Sequence, residues 1–569
     1  MPHITYIRIY TLLFPILTLF AFNSNGNSEN QNTADQYLAY NNRNYAYSIP
    51  DTLLPGHERV ADPEKATYQD DSGGPGRLRW EDKDNIDELL SFIENSIEHG
   101  LDPEDYNFQE IKDLLEREGR IVLDVTTTEM LDSLLTDAYV TLAVHLSIGK
   151  ADPEILEDED FQWAGQRRKM ETDPLEILRV ALTGKKVKES LEGLAPGHRE
   201  YVNLQNALVE FRQIKEGGGW EIPGDIPSLS KETEHPGVSA VRRRLGVTQG
   251  EIHFEEGREN YFDETLHEHV VLFQERNGII VDGIVGGSTL EIMNIPVEER
   301  IEVIRANLER WRWLTEDFGD RYIEVDITAY ELTVFDDNKP VLVSDVIVGR
   351  SDRPTPVLSE TMTYLVVNPR WYIPPGIFAG DIVPGAANDT AYLDERDIVL
   401  LDDEQEKVDP DSVDWDGAAE RVENDEDPEI PYQVVQEPGP ETEMGRVKFM
   451  FPNPYHIYIH DSPHEILFDE EGRNLSSGCI RIGQPFDLLD YFLQDIPDWD
   501  MDKVYDTFGE EDEHEVALED PIDVHVIYLT ARADDDGVVY FREDIYDLDE
   551  KLLNALNGER SQGDFSLEN

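Results

Sequence analysis

Two residues in the C-terminal third have the types and spacing for acyl transfer. His460 ends the apolar run Ile457-Tyr-Ile459, and Cys479 follows nineteen residues later, behind Ser476-Ser-Gly478 and ahead of another short apolar stretch. A thiol attacks as its thiolate, and a neighbouring imidazole that takes the proton and keeps the resulting charge lowers the thiol pKa. The pair therefore supplies a nucleophile (Cys479) and a proton acceptor and donor (His460). Gly478 lets the chain approach a bound carbonyl without a side chain in the way, so the backbone N–H groups of Gly478 and Cys479 are the expected oxyanion donors. Alone, a cysteine also reads as a buried, inert thiol. Metal binding by His456, His460 and His464 would need a helix to bring i, i+4 and i+8 together, whereas Ile457-Tyr-Ile459 is strand-like and Pro463 interrupts the run.

The elements that must hold these residues follow from periodicity. Alternating apolar patterns at Tyr322 to Ile327, Glu331 to Phe335, Val341 to Val348 and Met362 to Val367, then at Ile457 to His460, Val524 to Leu529 and Val538 to Phe541, predict antiparallel β-structure. Residues 402 to 429 interrupt it with 14 Asp or Glu in 28 positions, which reads as a mobile loop or lid, or equally as a solvated charge run. Upstream the period is helical. Ile86, Leu89, Leu90, Ile93 and Ile97 form one face, Gly100 ends it, and Asp102-Pro103 caps the next turn. Further helices are expected at Thr128 to Ser147, Pro174 to Leu182 and Tyr201 to Ile214, and the segment Ile304 to Trp313 reads as a linking helix with Trp311 and Trp313 as core anchors.

Composition bounds the setting. The chain has 569 residues, enough for several domains, and a formal net charge of −74, which repels phosphates and excludes nucleic acid as a partner. Only 15 Lys stand beside 33 Arg, and the acid excess appears in every region. That pattern fits a high-salt proteome, where screening over roughly 3 Å near 1 M salt makes self-repulsion tolerable. Arg8 followed by the apolar run Ile9 to Phe22 reads as a secretory signal, with an uncleaved anchor as the alternative, because Pro15 lies in the run and no clean small-x-small site follows. Cys479 is the only cysteine, so an exported chain keeps one free thiol and no intramolecular disulfide.

Two resemblances organise these readings. Val270-Val-Leu-Phe-Gln274 and Asp282-Gly-Ile-Val-Gly-Gly-Ser-Thr289 resemble the three-helix peptidoglycan-binding domain, with Gly283 and Gly286 at turns and Ser288-Thr289 as a helix cap. Residues 321 to about 545 resemble the L,D-transpeptidase (YkuD-like) catalytic domain, in its large multidomain periplasmic branch. The resemblance rests on His460-Asp-Ser-Pro463 and Ser476-Ser-Gly-Cys-Ile-Arg481, with Arg353-Pro-Thr-Pro356, Met362 to Pro369, Trp371-Tyr-Ile-Pro-Pro375 and Gly445 to Pro454 in support.

The resemblance implies a multidomain α+β protein. Its parts are a signal or anchor (1–25), a polar linker (26–80), a helical scaffold (81–235), a peptidoglycan-binding-like unit (236–298), a linking helix (299–320), a mainly antiparallel β catalytic domain (321–545) with a lid at about 376–440, and a C-terminal tail (546–569). It implies Cys479 as nucleophile and His460 as proton shuttle, with Tyr458, Ser477 and Arg481 lining the substrate site; Arg481 orients the turn or pairs with a substrate carboxylate. No metal or organic cofactor is implied. The implied partners are peptidoglycan stem peptides and glycan strands in the periplasm or cell envelope, with other cell-wall synthesis proteins as further candidates. The implied reaction is 3→3 cross-linking with loss of D-Ala, and carbapenems are expected to acylate Cys479. An L,D-carboxypeptidase or exchange enzyme and a non-catalytic wall-binding protein are the competing readings.

Overall fold

A computed structural model describes residues 79–558, apart from 119–124, 159–160, 166–167, 316 and 425, and adds the paired strands Thr67–Gln69 and Pro75–Arg77. The signal or anchor and most of the polar linker lie outside the described residues. The paired strands fall within the stretch read as a polar linker. The helical core begins at Trp80, which is buried, its backbone N–H donating to Asp132 at 2.9 Å and its indole to Thr136 at 3.1 Å.

Helices Lys83–Asn95, Phe108–Glu118, Val125–Ile148, Pro174–Gly184 and Val187–Glu192 surround one core that includes Leu89, Ile93, Tyr106, Leu135, Tyr139, Leu178 and Leu191. Asp-Pro pairs start three elements in the same way. At Asp102, Asp152 and Asp173 the carboxylate accepts the N–H two residues on, while the proline occupies a first-turn position that has no N–H to satisfy. The region is not wholly helical, because Trp163–Ala164 forms a short strand parallel to Val357–Leu358.

Eight strands close into a ring. β1 (Tyr322–Asp326), β2 (Glu331–Asp336), β3 (Lys339–Gly349), β4 (Val357–Val367), β5 (Val447–Met450), β6 (Ile459–His460), β7 (Ile480–Ile482) and β8 (His514–Ile527) pair in the order β5-β6-β7-β3-β2-β1-β8-β4, and β4 returns to β5. The β6–β7 and β1–β8 pairs are parallel and the others antiparallel. Alternation along each strand sends Val325, Val334, Val348, Leu365, Phe449, Ile459, Ile480 and Val524 into the core.

The same core takes in helix Arg199–Glu216, helix Val297–Trp313 and helix Leu548–Leu556. Helix Val297–Trp313 is therefore a central element as well as a connection. Glu309, Arg310, Trp311, Arg312 and Trp313 are all buried, and Trp313 meets Trp163 edge-on at 5.0 Å, an arrangement worth about 1 kcal/mol beyond its area. Its charges are matched internally: Arg310 with Asp549 and Arg312 with Glu309, both at 2.5 Å. The C-terminal segment read as a tail thus contains a docked helix, because Leu548, Leu552 and Leu556 face inward and Asp549 completes the Arg310 pair.

The small unit holds helices Gly237–Gln249, Glu264–Arg276 and Gly287–Met293 around their own core. Its motif is a hydrogen-bond hub. Buried Gln274 donates to Asp282, Ile284 and Thr289 at 2.8, 3.1 and 3.0 Å and accepts from Gly283 at 2.8 Å. Thr289 is therefore spent on Gln274, and the last helix starts from Gly286 without a side-chain cap, contrary to the Ser288-Thr289 expectation. Gly283, at φ +69°, has His267 where a Cβ would lie.

The insertion between β4 and β5 is a folded subdomain. Strands Trp371–Tyr372, Ile398–Leu401, Lys407–Val408 and Gln433–Gln436 make an antiparallel sheet, and Phe378, Val383, Leu393, Leu400, Trp415 and Val434 fill its core. The acidic stretch 402–429 supplies helix Trp415–Glu423, started by Asp414 accepting from Gly417 N–H. Six apolar residues, Val408, Val413, Trp415, Ala418, Ala419 and Val422, attach that stretch, so it is more than a solvated run of charge.

Candidate active site

β6 and β7 run parallel, with Ile459 opposite Ile480 and His460 opposite Arg481. Both isoleucines point into the ring, so alternation puts Tyr458, His460, Cys479 and Arg481 together on the other face. The Ile480 N–H donates to the Tyr458 carbonyl at 3.0 Å and fixes this register through the turn. Lys448, opposite His460 in the β5–β6 pair, joins the same face.

The turn carrying Cys479 is held from inside. The Ser476 hydroxyl donates to the Cys479 carbonyl at 2.6 Å and accepts the Gly478 N–H at 3.1 Å. Thr355 donates to the Gly478 carbonyl at 2.8 Å and accepts the Gly349 N–H at 2.8 Å. Gly478 has φ +107°, and a Cβ there would come within 3.2 Å of Ile457, so both backbone and space call for glycine. Ser476 occupies the Gly478 N–H, whereas the Cys479 N–H has no hydrogen-bond partner among the described residues. Ser477 is half-buried and accepts from Arg350 and Arg353 at 3.4 and 3.3 Å.

Burial of Cys479 pushes its thiol above the ordinary value, while hydrogen bonds from Tyr458 and the charges of Arg481 and Lys448 favour the thiolate. The sulfur lies 3.8 Å from the His456 carbonyl. His460 is buried, and this, reinforced by the Arg481 guanidinium, holds its pKa down to about 3. Its Nδ1 is 2.6 Å from the Asp461 carbonyl, and the Glu443 carbonyl also faces the ring. A neutral imidazole that donates to a carbonyl keeps its other nitrogen as a proton acceptor. Burial thus works against the charged form of both groups, whereas the expected pair needs a charged imidazole to sustain a thiolate.

The remaining residues frame this pair. The Tyr458 ring meets His460 edge-on at 5.7 Å, and burial beside the Cys479 thiol pushes its phenol well above the ordinary tyrosine range. Arg481 pairs with Glu443 at 3.2 Å, and Glu443 also meets His464 at 3.2 Å, so this guanidinium is already engaged by a carboxylate. His456 and His464 are exposed and share no cluster with His460. The insertion reaches the site through Asp381, which pairs at 3.0 Å with Arg353, a partner of Ser477.

Sequence reading assigned no role to Lys448, Glu443 or Thr355. For Lys448 a signal existed, a cation inside the apolar strand Val447-Lys-Phe-Met450, but its neighbour His460 is set by cross-strand register. Thr355 reaches Gly478 across 123 positions of sequence, and no local pattern reports that.

Comparison with known families matches residues 320–512 to the L,D-transpeptidase catalytic domain, 66–208 to a scaffold domain and 236–293 to a "Putative peptidoglycan binding domain". A curated relative from Haemophilus influenzae, described as "Putative L,D-transpeptidase", is 31% identical over 263 residues, covering 46% of this chain and about half (51%) of the relative. Among solved structures, an L,D-transpeptidase from Mycobacterium smegmatis aligns at 14% identity over 37% of this chain and 58% of its own, with a TM-score of 0.16. One from Stackebrandtia nassauensis aligns at 12% over 53% and 94%, with a TM-score of 0.20. Superpositions at that level carry no weight for fold or function. By these matches, residues 320–512 are an L,D-transpeptidase (YkuD) catalytic-domain match, in a chain that also matches the scaffold and putative peptidoglycan-binding domain families.

Proposed function

We propose that this protein is an L,D-transpeptidase that forms 3→3 cross-links between peptidoglycan stems. The observation that carries the reading is the shared face of β6 and β7, where the chain's one thiol immediately precedes β7 and the buried His460 ends the adjacent β6. In this mechanism His460 takes the Cys479 proton as sulfur attacks the carbonyl of the third stem residue. The tetrahedral oxyanion forms beside the free Cys479 N–H. Return of the proton from His460 to the departing amine releases D-Ala and leaves a thioester. The side-chain amine of a second stem then attacks the thioester, His460 removes its proton, and the thiol is regenerated.

An imidazole without a proton can act as base, and a protonated one is destabilised enough by burial to give the proton back. Tyr458 lines the acyl site, Arg350 and Arg353 hold Ser477, and the insertion packs alongside as the candidate lid. The small three-helix unit is proposed to hold glycan strands, and the whole chain to act at the cell envelope after export.

Purified protein incubated with disaccharide-tetrapeptides, with products weighed by mass spectrometry, tests the reading. Cross-linked dimers with loss of D-Ala are expected. Tripeptides alone would make it an L,D-carboxypeptidase, and sacculus binding without turnover would make it a wall-binding protein. Cys479→Ala must abolish every covalent adduct.

A further inference from the structure

Lys448 occupies an unusual position for a lysine. It is 7% exposed, and a row of cross-strand partners runs through it: Arg481, His460, Lys448, Val366 and Glu515 stand opposite one another on β7, β6, β5, β4 and β8. Buried lysines are ordinarily paired with carboxylates. Here Nζ donates to the Arg370 carbonyl at 3.1 Å, and no carboxylate lies within ion-pair distance of it among the described residues. Two aromatic faces, Tyr458 at 5.7 Å and Tyr372 at 5.9 Å, complete its surroundings. Tyr458 shares its face of the ring with Cys479, its carbonyl accepting the N–H of Ile480 next to the thiol at 3.0 Å. The other cation on this face, Arg481, is held by Glu443.

We infer that Lys448 is a positioning residue of the reaction, a buried ammonium that favours the charged form of the Cys479 thiol across the Tyr458 ring. The inference rests on Cys479 being the nucleophile proposed above. The field of the ammonium reaches the sulfur in a poorly solvated site. Charged groups on other elements modulate it. Glu513 and Glu515 oppose it from the β8 side, the Glu443–Arg481 pair lies beyond His460, and Arg370 and Tyr372 face it from the insertion, where Glu513 accepts from the Arg370 N–H and the Tyr372 hydroxyl, both at 3.0 Å. His460, being neutral, adds no competing charge.

Because Cys479 is the only cysteine, the pH dependence of iodoacetamide alkylation reads its ionisation without interference. Lys448→Met should move the midpoint up by about one unit, so that below the midpoint the rate constant falls about tenfold, and Lys448→Arg should restore most of it. A wild-type midpoint in folded Lys448→Met would overturn the inference; a changed melting temperature without a midpoint shift would make Lys448 purely structural. Should Lys448→Met not fold, the reciprocal measurement decides. Coupling acts equally on both partners, so the Lys448 titration followed by ¹⁵N NMR must fall in Cys479→Ala relative to wild type, and an identical titration would overturn the inference. The tetrapeptide assay is independent of this result. A Lys448 effect without turnover would retire the transpeptidase reading alone, and turnover with an unshifted thiol would retire this one alone.

Discussion

Thr355 donates its hydroxyl proton to the Gly478 carbonyl at 2.8 Å while accepting the Gly349 N–H, so one buried side chain ties the end of β3 to the turn before Cys479. Thr355→Val keeps the shape and removes both bonds, leaving a buried donor and a buried acceptor. A loss of about 1–3 kcal/mol for each is expected in denaturant melts, with slower acylation of Cys479. Thr355→Ser should behave nearly as wild type; equal losses in the two variants would refute the hydrogen-bond account.

Gly478→Ala tests the turn itself. At φ +107° a Cβ is strained by roughly 1–3 kcal/mol, and Ile457 stands in its way. Covalent adduct formation with a carbapenem, followed by mass spectrometry, should drop far more than the melting temperature does. Wild-type acylation in this variant would mean that the turn geometry is unimportant.

The pH–rate profile distinguishes a neutral pair from an ion pair. Burial raises the thiol, so acylation should climb with pH through and beyond the ordinary thiol range. His460 stays unprotonated down to about 3, so no acid limb is expected near 6.5. A plateau from about pH 6 upward would instead indicate a preformed thiolate–imidazolium pair.

Much of the architecture was legible because it is local. The helix face from Ile86 to Ile93, the Asp-Pro starts and the alternation from Tyr322 to Val367 each encode their own element. What escaped is set by partners distant in sequence. Ring closure depends on Val447 meeting Val367, and the docking of Leu552 depends on a core assembled hundreds of residues earlier. The insertion looked like a charge run because its acids outnumber its few apolar anchors, such as Trp415. At the site, the strand ending in His460 and the thiol after Gly478 were readable. The occupied Gly478 N–H and the neutrality of His460 required knowing where Ser476 and the surrounding atoms lie.

Stability in acid should track buried histidines. His99, His145 and His460 are each held down to about 3 by burial, below their unfolded value near 6.5. As pH falls below 6.5 the unfolded chain binds protons that the folded chain refuses. Each of the three then contributes a loss of about 1.4 kcal/mol per pH unit until about pH 3. Denaturant midpoints measured between pH 7 and 4 check the sign; His145→Gln should flatten the slope.

Arg532 bonds Glu200 of helix Arg199–Glu216 and both Glu324 and Asp326 of β1, at 2.5, 2.6 and 3.1 Å. Arg532→Met leaves buried carboxylates facing one another and should cost about 3 kcal/mol or more in a thermal or denaturant melt. A loss under 1 kcal/mol would mean that the cluster rearranges without the arginine.

The charge excess predicts salt dependence. Melting temperature and turnover should both fall in dilute buffer as 74 excess negative charges lose their screening. Equal values in dilute and molar salt would count against a high-salt origin.

Closure of the ring limits how the catalytic segment can be cut out. A fragment ending at residue 512 forfeits β8, which bridges β1 and β4, and one beginning at 320 strips away Trp163, Trp313 and the helices that share their packing. Such a piece would bare an unpaired strand edge and a wide oily flank, and would clump before it could be assayed. The site is thus built into the neighbours on either side, and moving it elsewhere means transplanting them too.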